Sequence, residues 1–502
     1  MQRRIHDFLD EVVAVKPEAT AIIDHADVAY SWQDLTGAVE DAEAAMRARG
    51  VKAGDRVVLV FENTISVPAF FLAASRLDAI SVVINARLTE AELQRIFDHS
   101  DPSLAMFSTD VSDAARAHAA HFGAECVEGR FGQAALMQRD GATPELVFET
   151  AAEQVALMLY TSGTTGAPKA AMLTHGNLVN AAHASAKVRG MRADDTCFLA
   201  LPLSHIYGFV TFLAMCKAQG VMRMETRFSV ERMFRALNTD VTFLPGVPQM
   251  HAHLFHYAKE QNIPRYEKGL LRYVSSGGAP LDPVWKREAE AFYGLPLQNG
   301  YGLTEGAAGV CATNNAFGDP DISVGRPMLN CAFRIDMEAP GAEPDEGIGE
   351  ILLGGPQVMK GYFRDPEQTA KALTEDGFFR TGDLGRFDAE GRMYIVGRSK
   401  ELIIRSGFNV YPVEIEATLT DHPEVIVAGV VGRAVEGNEE VLAFVKVAPD
   451  CSITESDLKA FVKDRLAPYK RPSRIIVAHE LPAAPTGKIL KAKLIERFQD
   501  QL

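Results

Sequence analysis

Hydrophobic and polar positions alternate along the first part of the chain in two rhythms. Arg56-Val57-Val58-Leu59-Val60-Phe61 and Ile80-Ser81-Val82-Val83-Ile84 are short apolar runs of the kind that form buried strands. Around them lie amphipathic stretches. Tyr30-Ser31-Trp32-Gln33-Asp34-Leu35 starts a helix with Ser31 as its N-cap, and Asn85-Ala86-Arg87-Leu88-Thr89 turns into a helix whose first turn carries Glu90 and Glu92, where the helix dipole favours acids. Val155-Ala156-Leu157-Met158-Leu159 ends another buried strand. This alternation predicts an α/β fold. It continues to about residue 396, with a Gly-, Pro- and acid-rich tract from Glu338 to Gly349 leading into a smaller β-rich segment that holds Glu350-Ile351-Leu352-Leu353 and Met393-Tyr394-Ile395-Val396. At 397 the pattern changes. Residues 397–502 contain strands at Val425–Val431 and Val441–Val447 and two helical stretches, enough for a small independent α+β domain. The join, Gly397-Arg398-Ser399-Lys400, is polar and contains a glycine, as a hinge should.

Composition narrows the class. At 502 residues the chain is too long for one core. Its 47% hydrophobic and 23% charged residues are ordinary for a soluble globular protein. The net charge of −15 argues against nucleic acid as a partner, because polyanion binding needs clustered positive charge. An anionic ligand must then be met by local donors and a metal ion. The six cysteines are scattered without a Cys-x-x-Cys pair, which fits free thiols in a reducing compartment. No apolar run follows Arg3 and Arg4, and the most apolar window, Val67 to Ile84, is interrupted by Arg76 and Asp78, so the expectation is a cytoplasmic protein with no integral membrane segment.

The stretch richest in chemistry is Tyr160-Thr161-Ser162-Gly163-Thr164-Thr165-Gly166-Ala167-Pro168-Lys169, read as a loop between a strand and the helix that Thr174-His175-Gly176-Asn177 opens. Its glycines allow close approach of the backbone, whose N–H groups can cradle phosphate oxygens beside several hydroxyls. It is not a Walker A loop, since Gly-x-x-x-x-Gly-Lys-Ser/Thr does not occur. Further stretches stand out downstream: Leu201-Pro202-Leu203-Ser204-His205-Ile206-Tyr207-Gly208, Ser275-Ser276-Gly277-Gly278-Ala279-Pro280, Gln298-Asn299-Gly300-Tyr301-Gly302-Leu303-Thr304-Glu305, Arg380-Thr381-Gly382-Asp383, the hinge with Arg398 and Lys400, Arg405-Ser406-Gly407-Phe408 through Glu416, and Pro485-Thr486-Gly487-Lys488.

In this order the stretches resemble the signatures of the class I adenylate-forming enzymes, which comprise acyl-CoA synthetases, amino-acid adenylation domains and luciferases, and the chain resembles most the acyl-CoA synthetase and aryl-CoA ligase branch. One departure is Ala170, where relatives usually carry glycine. The resemblance implies a large multi-subdomain α/β N-terminal domain, 1–396, and a small mobile α+β C-terminal domain, 397–502. It implies a nucleotide site made of Thr161, Ser162, Gly163, Thr164, Thr165, Gly166 and Lys169 for phosphate, and Gly277, Gly278, Ala279, Pro280, Asn299, Gly300, Tyr301 and Gly302 for the base, with Tyr301 offering a face to adenine. Asp383 and Arg398 would take the ribose, Thr304 the α-phosphate, and Glu305 the Mg²⁺, an ion that favours one or two carboxylates plus phosphate oxygens and water. His205, Tyr207, Gly277 and Gly302 would line the acid pocket, Gly407 would let the arm of coenzyme A pass, Lys400 would be the pivot, and Lys488 the catalytic lysine bridging carboxylate and α-phosphate.

The implied reaction is AMP-forming ligation of a carboxylic acid to coenzyme A, with MgATP as the activating substrate. The stretch around His205 offers no Asp to hold an amine, which favours a plain carboxylic acid, and Asn299-Gly300-Tyr301 offers no arginine, which disfavours a dicarboxylate such as malonate. Aromatic, phenylpropanoid-like and medium-chain fatty acids remain. Delivery to a carrier-protein thiol and a luciferase-like monooxygenase are the alternatives, and a non-enzymatic nucleotide-binding module is a third. The partners expected are the acid, ATP and CoA, on a monomer or homodimer.

Overall fold

Arg56–Phe61 is buried at every position and pairs in parallel with Ile80–Asn85, so both apolar runs form the strands that the pattern predicts. The computed structural model describes residues 3–502 apart from 162–168, 268, 279–280, 406–407, 436–437, 450 and 484–488. The two strands sit inside an eight-stranded sheet, with Val155–Thr161 beside Ile80–Asn85 and Lys169–Thr174 beyond it. A nine-stranded sheet forms the second layer; at its centre Thr196–Leu199, Phe243–Gly246, Tyr273–Gly277 and Leu297–Leu303 run parallel, followed by antiparallel Ala308–Ala312. Helices Ser66–Arg76 and Ile206–Ala218 are apolar nearly all round and lie between the sheets, where Phe71 meets Phe209 and Phe212 at ring distances of 4.7 and 5.4 Å. A helix apolar on every face needs cover on every face, and two sheets supply it.

Local signals hold well. Ser31 caps helix Trp32–Ala48 in a reciprocal capping box with Asp34. Glu92 does more than complement a dipole, since it closes a second capping box with Thr89. Thr174 and Asn177 form a third at the start of helix His175–Val188.

One reading is corrected. The stretch after Val155–Thr161 does not lead straight into a helix: Thr161 pairs with Lys169 in an antiparallel ladder, and the helix begins only after the strand Lys169–Thr174. That strand, Lys-Ala-Ala-Met-Leu-Thr, is rich in alanine and carries little intrinsic strand preference, so only its pairing partners reveal it. Ala170 within it is fully buried and faces Tyr160 across the ladder.

Past residue 330 a four-stranded antiparallel sheet forms from Ala332–Asp336, Gly349–Gly354, Phe379–Phe387 and Met393–Arg398. The chain then leaves through the short turn Ser399–Glu401. Beyond it the hairpin Ile403–Arg405/Phe408–Val410 and the sheet of Val427–Val435, Asn438–Lys446 and Arg474–Ala478 share a separate core around Val410, Ile415, Val441 and Leu458. The fold is therefore α/β, with a large N-terminal part and a smaller α+β C-terminal part. Among the described residues no helix is long and apolar enough to cross a membrane, and the six cysteines form no disulfide.

Candidate active site

The parallel strands Tyr273–Gly277 and Leu297–Leu303 end side by side, with Ser276 opposite Asn299 and Gly277 opposite Gly300. Ligands of open parallel sheets bind beyond such carboxyl ends, where backbone donors and loops converge. Both Asn299 and Ser276 are buried, and each leaves one polar atom, Asn299 Oδ1 and Ser276 Oγ, without a hydrogen-bond partner. The amide of Asn299 donates through Nδ2 to the Ser323 carbonyl at 3.1 Å, so its oxygen is held in place as an acceptor. A buried acceptor without a donor is costly, and a ligand amine is one way to satisfy it.

Gly300 and Gly302 are needed for close backbone approach: a Cβ on Gly302 would lie 2.3 Å from the Ala308 carbonyl oxygen, and one on Gly300 2.9 Å from that of Cys311. Gly278 takes φ +85°, a left-handed conformation open to glycine. Ala279 and Pro280 lie outside the described residues.

Tyr301 leaves this strand end and donates its hydroxyl to Asp383 Oδ2. The other carboxylate oxygen of Asp383 accepts from Arg398 Nε at 3.0 Å. Asp383 and Arg398 are cross-strand partners in the four-stranded sheet, so the sheet delivers both to Tyr301 as one unit. The tight turn before Asp383 is present: Gly382 has φ +71°, and the Asp383 N–H is held by Thr381 Oγ1 at 3.1 Å. Burial, then the carboxylate of Asp383, push the Tyr301 phenol far above its usual pKa, so it stays a donor. Burial works against the charge of Arg398, but Asp383 and Glu401 more than restore it.

Thr304 and Glu305 open a 3₁₀ turn, Thr304–Gly306, that is followed by two alanines at positive φ, Ala307 at +50° and Ala308 at +82°. Non-glycine residues pay for that conformation with strain, which folds tend to keep at functional positions. Glu305 Oε1 accepts from the Tyr362 hydroxyl at 2.9 Å, and its second oxygen has no hydrogen bond among the described residues. Lys169 closes the group: its Nζ lies 5.3 Å from the Tyr362 ring centroid and donates to Gln368 at 2.6 Å. The hairpin base, the Glu305 turn and the strand Gly361–Tyr362 thus meet at one place. Tyr362 and Gln368 escaped sequence reading, because nothing in their local sequence marks them and only the pairing of Gly361–Tyr362 with Lys169–Thr174 brings them in. Thr161 is placed at the hairpin base, whereas Ser162, Gly163, Thr164, Thr165 and Gly166 lie outside the described residues.

His205 caps helix Ile206–Ala218, its Nδ1 accepting from the Tyr207 N–H at 3.2 Å. Tyr207 lies over the glycine pair: a Cβ on Gly277 would touch its ring at 3.4 Å, and its hydroxyl is 3.4 Å from Ser275 Oγ. Tyr207 and Gly277 are therefore in contact, with His205 set beside them by the cap.

Lys400 is exposed within the turn Ser399–Glu401 and forms no ion pair among the described residues. The neighbouring Glu401 and also Glu416 bind Lys491, at 2.6 and 2.7 Å. Gly407 and Lys488 lie outside the described residues; the bridge Ala483–Ile489 brackets the latter.

Comparisons with known proteins agree along nearly the whole chain. The family model described as AMP-binding enzyme matches residues 9–363, and that of the AMP-binding enzyme C-terminal domain matches 414–488. Feruloyl-CoA synthase of Amycolatopsis sp is 32% identical over 491 residues, covering 96% of this chain and 97% of that protein. The 2-succinylbenzoate–CoA ligase of Geobacillus kaustophilus (strain HTA426) is 34% identical over 452 residues, covering 89% and 88%. Among solved structures, ATP-bound MatB from Rhodopseudomonas palustris superposes with a TM-score of 0.85 at 30% identity over 100% of both chains.

Proposed function

The chain belongs to the AMP-binding enzyme family, and from that premise we propose that it is an AMP-forming ligase that joins a carboxylic acid to coenzyme A. The observation that carries the reading is the group Tyr301–Asp383–Arg398 beside the unsatisfied oxygen of Asn299. That arrangement suits an adenosine: Asn299 Oδ1 accepts from the exocyclic amine, the Tyr301 ring offers a stacking face, and Asp383, oriented by Tyr301 and Arg398, accepts from the ribose hydroxyls.

The substrate acid supplies its own nucleophile, so no protein nucleophile is required. In the first half-reaction the acid carboxylate attacks the α-phosphorus of MgATP, forming acyl-AMP and releasing pyrophosphate. The chain contributes position and charge. Glu305, held by Tyr362, takes the Mg²⁺ that accompanies ATP, and Thr304 takes the α-phosphate. Thr161 and Lys169 fix the base of the 162–168 loop at the other phosphates, and Lys488 bridges the two anions. His205, Tyr207, Gly277 and Gly302 line the acid. In the second half-reaction the C-terminal part, 397–502, turns about Lys400, removes Lys488, and brings coenzyme A past Gly407 so that its thiol displaces AMP. Two chemistries at one site require that motion.

The acid belongs to the aromatic, phenylpropanoid-like or medium-chain aliphatic class, a reading supported by feruloyl-CoA synthase among the relatives. Six cysteines without a disulfide among them support a cytoplasmic setting. The test is acid-dependent pyrophosphate release from ATP over aromatic, alicyclic and aliphatic acids, with and without CoA. The expected result is release for a subset of acids together with CoA thioester. An enzyme that releases no pyrophosphate with any of them refutes the reading.

A further inference from the structure

Arg189 ends helix His175–Val188, and the fold carries its side chain to the acid-binding residues. The guanidinium carbon lies 5.5 Å from the centroid of the Tyr207 ring. Its Nη2 is 3.4 Å from where a Cβ on Gly309 would sit, and Gly309 is the ladder partner of Gly302. Tyr273, two residues before Ser275 on the strand that ends at Gly277, feels its charge. Arg189 thus lies against Tyr207 on one side and close to Gly309, the ladder partner of Gly302, on the other.

Its charge has no counter-ion. Among the described residues no carboxylate forms an ion pair with Arg189, and its Nε is buried without a hydrogen-bond partner. The only acids outside the described residues are Glu436 and Asp450. Other arginines with little exposure are treated differently: the buried Arg56 has Asp101 and Glu145, and the partly buried Arg223 has Asp27 and Asp240. A partly buried arginine stays charged, and leaving such a charge without an anion is unfavourable. Aromatic faces such as Tyr207 and Tyr273 offset only part of that cost. A planar fork of donors in this position is suited to a carboxylate.

We propose that Arg189 is a specificity-determining residue of the acid pocket, and that the enzyme's acid carries a second carboxylate at the end remote from the reacting one. The reacting carboxylate lies toward the nucleotide, at Gly277 and Gly302, and the remote carboxylate pairs with the guanidinium beyond Tyr207. The residues 299–301 hold no arginine, but the fold brings one to the pocket from a helix more than a hundred positions earlier in the chain. The inference rests on the ligase reading above and narrows its substrate class.

The test is pyrophosphate release with matched acids of equal length and ring: the monocarboxylate, its remote carboxy analogue and its remote hydroxy analogue. Wild-type enzyme should favour one or more diacids over their monoacid partners by about a hundredfold or more in kcat/KM, as sites built to bond a polar group do. Arg189→Met should bring that ratio to near one through KM for the diacid, since the guanidinium touches the remote end and not the reacting atoms. Arg189→Lys, which keeps the charge without the fork, should retain part of the preference. A thermal shift with ATP shows that each variant is folded, and if Arg189→Met fails to fold, Arg189→Gln carries the same expectation. A wild-type enzyme that prefers monoacids or hydroxy acids, or an Arg189→Met enzyme that keeps the diacid preference, overturns the inference and leaves the ligase reading standing. Absence of pyrophosphate release with every acid overturns both.

Discussion

Tyr362 donates its hydroxyl to the carboxylate of Glu305 at 2.9 Å, joining the edge strand Gly361–Tyr362 to the turn Thr304–Gly306. The phenol is pushed well above its usual pKa, by burial first and by Glu305 second, so it donates throughout the working range. A carboxylate held at one oxygen presents the other in a fixed direction, which is how a partner behind a metal ligand acts.

If Glu305 receives Mg²⁺, Glu305→Gln folds normally but needs far more Mg²⁺ for acid-dependent pyrophosphate exchange. Tyr362→Phe shifts the Mg²⁺ requirement the same way by about tenfold. Titrating Mg²⁺ at fixed ATP checks both, and an unchanged requirement in Glu305→Gln removes it from the metal.

Asp383 accepts from Tyr301 and Arg398 at once. Asp383→Ala removes an ionised acceptor for the ribose and leaves the half-exposed Arg398 with Glu401 alone, at 3.8 Å. KM for ATP should rise about a hundredfold, corresponding to roughly two charge-assisted hydrogen bonds. Tyr301→Phe keeps the ring and loses one hydrogen bond, for a rise of about fivefold. Equal effects of the two variants would show that Asp383 acts only through packing.

The two lysines separate the half-reactions. Lys488 acts only while the α-phosphorus is under attack, so Lys488→Ala should lose adenylation by about 10²–10³-fold and still form thioester from supplied acyl-AMP. Lys400 is exposed in the turn Ser399–Glu401. Lys400→Pro fixes φ there and should keep adenylation while losing thioester formation. Loss of both half-reactions by both variants would end the swinging-domain account.

A carboxyl pair gives the docked arrangement a pH dependence. Asp421, at the end of helix Pro412–Thr420, lies close enough to Asp282, the N-cap of helix Pro283–Tyr293 in the N-terminal part, for the two carboxyls to affect each other. Burial, then Asp282, push the Asp421 carboxyl up to about 7, against the pull of Arg465 and Arg287. The docked form therefore holds a proton that the separated form releases, and docking is favoured below the ordinary aspartate range and weakens as pH rises through about 7. Cleavage by protease at the 399–401 turn should accelerate as pH rises from the ordinary aspartate range to about 7 and level off above it, and Asp421→Asn should flatten that dependence. An equal slope in the variant assigns the effect to other groups.

The sequence by itself determined the elements whose cause is local. Runs such as Arg56–Phe61 had to be buried because they are apolar on both faces, and Ser31, Thr89 and Thr174 had to start helices because their hydroxyls satisfy the N–H groups that the first turn leaves open. The spacing of the motif stretches also placed most of the site on strand ends and turns, including Asp383 after its glycine turn. Only the tertiary structure decided what depends on pairing between distant segments. It paired Lys169–Thr174 with Val155–Thr161, set Tyr362 behind Glu305, and brought Arg189, with no carboxylate partner among the described residues, against Tyr207. Strand pairing and the meeting of side chains from remote segments arise from cross-chain hydrogen bonds and packing, and a local window of residues carries neither.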